Sequence, residues 1–151
     1  MREHLMDLLQ FNNWANKRIF TALPGVADHD PQTVVLLSHV VIAELLWLDR
    51  VNGIVRPLPL WEPLPFPELL RLIDQSTHDW LSYVGDCDAT RLERRVAYVN
   101  TKGVSYQNSV REIATHLVNH GSHHRGQIVQ LIRRTGATPP LVDFIAYARN
   151  E

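Results

Sequence analysis

An all-α fold, a four-helix bundle with a small β-hairpin before its fourth helix and a short C-terminal helix, follows from three features of the 151-residue sequence. Four segments carry apolar residues at the helical period of about 3.6. Each is bracketed by proline, glycine or capping residues. Only one short stretch changes to the period of two that marks strand. A composition 45% hydrophobic and 21% charged suits a single domain over residues 1–151 with one substantial core.

The first helix has Leu5, Leu8, Leu9, Ala15, Ile19 and Leu23 in period and stops at Pro24-Gly25, which cannot continue it. The second begins with Asp30 as cap and Pro31 in the first turn. It carries Val35, Leu36, His39, Ala43, Leu46 and Trp47, and ends at Asn52-Gly53. Five prolines between Arg56 and Pro67 make that stretch an extended connection, long enough to cross the end of a bundle. Pro67 opens the third helix, with Leu70, Ile73, Thr77, Trp80, Leu81 and Val84 on one side and Gly85 near its end. From Arg95 to Tyr106, Val96 and Tyr98, then Val104 and Tyr106, alternate with polar residues around Asn100-Thr101-Lys102-Gly103, which spells a β-hairpin. Asn108 and Ser109 offer caps for the fourth long helix, with Glu112 completing a capping box, and Gly136 ends it after Arg134. A short helical tail follows Thr138-Pro139-Pro140. Periodicity does not fix the order of the helices around the bundle.

Fifteen Lys and Arg against sixteen Asp and Glu leave a net charge of −1, with no basic field to hold nucleic acid or an anionic membrane. The arginines of the fourth helix, Arg111, Arg125, Arg133 and Arg134, are scattered around its circumference, which argues against a DNA-binding adaptor. The most apolar run, Val34 to Leu48, is broken by Ser38, His39 and Glu44 and is shorter than the ~20 residues of a membrane span. The chain enters amphipathic periodicity at its first residues, without the apolar core of a signal peptide, so a cytoplasmic location is expected. The lone Cys87 has no disulfide partner and no thiolate metal spacing, and reads as a small core filler.

Eight histidines are the unusual feature, four of them between His116 and His124. On a helical wheel with Ile113 at zero, Leu117, Ile128 and Leu131 fall within about 60° and mark the buried stripe. His124 falls near about 20° and His120 near about 340°, so both point inward one turn apart. Two adjacent buried imidazoles each need a donor and an acceptor satisfied, whereas one divalent ion takes both lone pairs. His116, near about 300°, lies at the edge of the stripe as a flanking residue or one that supports the ligands from behind, and His123, near about 280°, faces solvent.

A catalytic site needs a third ligand and an open position. His39 shares an apolar face with Leu36, Ala43 and Leu46 and has no evident partner, whereas His4, His29 and His78 read as surface or capping residues. Three neutral ligands leave the full charge of the ion to act on a bound group. Such a set suits zinc or nickel, and iron, cobalt and manganese remain open. Asn12 and Asn16, on the inward face of the first helix, either orient substrate or a bound water or serve as buried hydrogen-bond partners. Arg125 and Gln127 flank the histidine pair as supporting or as surface groups. Trp47, Trp80 and Tyr98 read first as core or interface aromatics and second as pocket-lining residues.

The run Asn119-His120-Gly121-Ser122-His123-His124-Arg125-Gly126-Gln127, preceded by Ser38-His39 and followed by Thr138-Pro139-Pro140, resembles the DinB/YfiT-like metalloenzymes. Phe11 to Asn16, Leu46 to Arg50 and the hairpin from Tyr98 to Gly103 extend the resemblance over nearly the whole chain. It implies up-down-down-up connectivity, a frequent homodimer, and a divalent metal on His39, His120 and His124. The family name refers to induction by DNA damage and is shared with an unrelated polymerase; it does not imply DNA binding. Related members are S-transferases using bacillithiol-like thiols, or a mycothiol-dependent isomerase.

The chemistry expected is therefore that of a metal-dependent enzyme acting on a small molecule with a low-molecular-weight thiol, which the ion deprotonates so that sulfur attacks an electrophile. Hydrolysis by an activated water is the alternative within enzymes. Glu44 lies about 140° from His39 on its helix, so no carboxylate falls clearly on the ligand face, which favours thiol chemistry. A non-catalytic bundle that is stapled by metal or senses it is the third reading.

Overall fold

The computed structural model describes residues 1–100 and 102–151. Six α-helices, one 3-10 turn (Leu23–Gly25) and one antiparallel hairpin make up the regular structure of the described residues. In chain order the elements are α1 (Arg2–Ala22), α2 (Gln32–Asn52), α3 (Phe66–Gly85), α4 (Ala89–Leu92), β1 (Arg95–Val99), β2 (Ser105–Ser109), α5 (Val110–Arg134) and α6 (Phe144–Ala148). The four long helices, the hairpin and the C-terminal helix are those expected. The single turn α4 is too short to show a period, and is held by the Asp88 side chain, which accepts the Arg91 N–H at 2.7 Å.

Local chemistry sets the helix ends. At the end of α2, Gly53 takes φ +71°, and the N–H groups of Gly53 and Ile54 donate to Arg50 and Asp49, a pattern that a β-carbon would strain. Asp30 sits one residue further out than expected, because α2 starts at Gln32, but it still accepts the Gln32 N–H. At the start of α5 both arms of the capping box form, Glu112 N–H to Ser109 Oγ at 3.1 Å and Ser109 N–H to Glu112 Oε2 at 2.8 Å. The second strand runs three residues past the expected Tyr106, with Arg95 opposite Ser109, so the hairpin leads directly into the α5 cap. In its turn Asn100 Oδ1 accepts the N–H groups of Lys102 and Val104; Thr101 lies outside the described residues.

Side-by-side packing joins the long helices in a ring: α1 contacts α3 and α5, and α2 contacts the same two. Two large apolar clusters fill the interior. One gathers Leu5 and Leu9 of α1, Val51 of α2, Trp80 and Val84 of α3, and Val110 to Leu117 of α5. The other gathers Ile19, Val34 to Val41, Leu69 with Ile73, and Ile128 with Ile132 from the same helices. Each fully buried Leu or Ile contributes about 1.5–3 kcal/mol by removal from water. Along the chain, α1 and α5 run from the first cluster to the second, and α2 and α3 run the opposite way.

This corrects one expectation about the proline-rich connection. Because α2 ends at the cluster opposite the one where α3 begins, residues 53–65 return along the length of α2 instead of crossing the bundle's end. An extended segment of this length reaches ~40 Å, against ~30 Å for α2. Its path is pinned where Leu64 N–H donates to the buried Ser38 Oγ at 3.0 Å. Among the described residues, no helix is long and apolar enough to cross a membrane.

A polar layer separates the two clusters. Asn12 and Asn16 of α1, Glu44 of α2, Ser76 of α3 and Arg125 of α5 are all buried there. Each asparagine donates Nδ2–H to Glu44 Oε1, at 2.7 and 3.1 Å, and accepts from Arg125 Nη1 on its Oδ1, at 2.6 and 2.7 Å. Ser76 Oγ–H donates to Glu44 Oε2 at 2.6 Å. The two amides thus link a carboxylate to a guanidinium across the middle of the molecule.

Candidate metal centre

At the level of this layer, α2 and α5 bring His39, His120 and His124 together, with one ligand atom from each lying within 4.8 Å of the others. His120 Nε2 is 3.2 Å from His39 Nε2 and 3.1 Å from His124 Nε2. In a tetrahedral site with metal–nitrogen bonds of ~2.0–2.1 Å, neighbouring nitrogens stand about 3.3 Å apart.

The outer nitrogens decide what faces the centre. His39 Nδ1 lies 2.8 Å from the Leu60 carbonyl, and His124 Nδ1 lies 2.7 Å from Gln127 Oε1. A carbonyl oxygen only accepts, so both Nδ1 atoms carry hydrogen and both Nε2 atoms present lone pairs inward. A hydrogen on His120 can serve only one of these at a time. Three basic nitrogens crowded in this way fit a cation, and the Nδ1 bonds are the outer supports typical of histidine ligands. The group could hold a metal ion.

Burial holds these imidazoles neutral. The pKa of His120 is pushed down to about 3, by burial first and by the neighbouring histidines second, and His39 and His124 are lowered mainly by burial. Since the folded value lies below the ordinary 6.5, the metal-free fold loses stability as pH falls from 6.5 towards about 3, where only the unfolded chain takes up the proton. The melting temperature of metal-free protein should drop between pH 6.5 and 5, and His120→Ala should flatten that slope. An unchanged slope in the variant would exclude His120 as its source.

One wall comes from the proline-rich connection. Trp61 stacks on the His39 ring with centroids 3.6 Å apart and planes 8° from parallel, while its own side chain stays 57% exposed. Periodicity could not place this residue, although a tryptophan between prolines was the available signal. On the other side, His116 is exposed, edge-on to Trp47 at 5.4 Å and 5.4 Å from His120, with Trp47 in turn against Tyr98. His123 is exposed.

The remaining candidates fall elsewhere. Asn12 and Asn16 belong to the polar layer, so of the two roles considered for them their contacts match that of buried hydrogen-bond partners. Arg125 is 1% exposed and no surface residue, and Gln127, though exposed, holds His124. Trp80 is a core residue whose Nε1–H donates to the Glu44 carbonyl. Cys87 is buried, as expected of a filler. Gly121 was not anticipated: a β-carbon there would stand 2.5 Å from Asn12 Oδ1 and 2.7 Å from Arg125 Nη1, so glycine at this position leaves room for the Asn12–Arg125 contact.

A mostly helical protein with a buried three-histidine group is thus defined by fold and site together. The chain matches the DinB family over residues 1–151 and belongs to it. It is 27% identical to Protein DinB of Bacillus subtilis (strain 168), in an alignment covering 97% of this chain and 95% of that protein.

Proposed function

We propose that this DinB-family protein is a divalent-metal-dependent enzyme acting on a small molecule, with the ion on His39, His120 and His124 and a low-molecular-weight thiol as co-substrate in S-transferase-like chemistry. The observation that carries this reading is the convergence of three Nε2 atoms, two with lone pairs fixed inward by Leu60 and Gln127. When bound, the ion supplies Lewis acidity that lowers the pKa of a thiol or a water. The chain supplies a neutral ligand set, kept unprotonated by burial, and a Trp61 wall over His39. Among the described residues no fourth His, Cys, Asp or Glu joins the group, which favours an open catalytic position over a closed structural site.

Thiol transfer is favoured over hydrolysis because both Glu44 oxygens are committed to Asn12, Asn16 and Ser76, leaving that buried carboxylate no role as a base for water at the histidines. Zinc or nickel suits the nitrogen donors. The opposed directions of the helix pairs support an up-down-down-up bundle, and a cytoplasmic homodimer is the form proposed. Elemental analysis of untagged protein, followed by thiol-consumption assays with electrophiles, tests the reading. About one ion per chain and metal-dependent thiol consumption are expected; protein that stays metal-free after reconstitution would overturn it.

A further inference from the structure

The opposite side of α5 borders a cavity of about 520 Å³, between α5, the N-terminal half of α1 and the segment 139–144. Its lining residues Val118, Ser122, Val129 and Arg133 fall about 140–200° from Ile113 on the α5 wheel, whereas His120 and His124 lie within about 20° of it. The cleft therefore cannot share a substrate with the histidines. Its size lies within the ~300–1,000 Å³ of small-molecule sites.

One part of the lining is apolar, with Phe11, Val118 and Phe144. The other is rich in unused donors. Arg125, almost fully buried at the floor, has an Nε–H without an acceptor. Ser122 Oγ accepts from Arg125 Nη2 at 3.0 Å, which leaves its own hydrogen free to donate. Arg133 enters no ion pair among the described residues, and Asp143 is the one carboxylate in the lining. Burying an N–H without an acceptor is unfavourable, and an acceptor carried in by a ligand would relieve it.

We propose that this cleft binds a small amphipathic anion, its carboxylate on Ser122 above Arg125 and its apolar part against Phe11, Val118 and Phe144. The site is independent of the metal reading. Gly126 lines the cleft, and a β-carbon added there meets nothing within 4 Å, so the position accepts a side chain and Gly126→Leu obstructs the cleft.

Calorimetric titration of the intact protein with decanoate tests this. Saturable binding at one site per chain is expected, with decanol and decyltrimethylammonium weaker by about tenfold or more, the share of a charge-assisted contact. Gly126→Leu, without lowering the melting temperature, and Ser122→Ala should each weaken decanoate about tenfold. His120→Ala should leave decanoate binding intact, which separates this site from the histidine group. Absence of saturable binding, equal binding of decanol, or wild-type affinity in both cleft variants would each overturn the proposal.

Discussion

Arg125→Met is expected to destabilise the protein by about 3–5 kcal/mol, the range for removing one partner of a buried charged pair. Burial lowers the Arg125 pKa to about 10, with Glu44 opposing that shift, and burial raises the pKa of Glu44, opposed by its hydrogen bonds to Ser76, Asn12 and Asn16 and then by Arg125. Without the guanidinium, two asparagine oxygens lose their donor and a fully buried carboxylate loses its counter-charge. For a domain of this size the melting temperature should fall by about 10 °C. The same substitution should cost less in a Glu44→Gln background, because the charge it strands is already gone. Gly121→Ala strikes the network sterically: alanine gains about 1 kcal/mol in helix propensity, but its methyl overlaps Asn12 and Arg125, so the net effect is destabilising. A loss below about 1 kcal/mol in Arg125→Met, as for a surface change, would show that the layer does not act as a unit.

His39→Ala, His120→Ala and His124→Ala should each abolish stoichiometric metal binding, whereas His116→Ala and His123→Ala should retain it. Three nitrogens share one point, so removing any of them leaves at most two ligands, too few for the ~10–16 kcal/mol of a well-made zinc site. Gln127→Ala should fall between these extremes, with affinity reduced by ~10–100-fold, since it frees the His124 ring without removing a ligand. Competition titration against a chromophoric chelator measures all six variants. An ion retained at full affinity in any of the first three would exclude that residue, and loss in His116→Ala would shift the site one turn along α5.

The four long helices, the hairpin and the spacing of the α5 histidine pair were legible from sequence. These depend on interactions within a few residues: the Ser109–Glu112 box, the left-handed Gly53, and the i, i+4 spacing of His120 and His124 are local facts that survive any packing. His39 was legible for a related reason, as a polar residue in an otherwise apolar run must meet a partner.

The surroundings of these residues depend on packing between distant segments. A wheel for one helix finds a single buried arc, but α5 is covered by α1 as well as α2, so Arg125, at about 120° from the main stripe, is as buried as the core. Glu44 likewise turns away from His39 towards α1 and α3, where Asn12, Asn16 and Ser76 await it. The path of the proline-rich connection, which delivers the Leu60 carbonyl and Trp61 to His39, depends on α2 and α3 running the same way. That relation between distant segments is set by burial of whole helix faces, and no local pattern of residues encodes it.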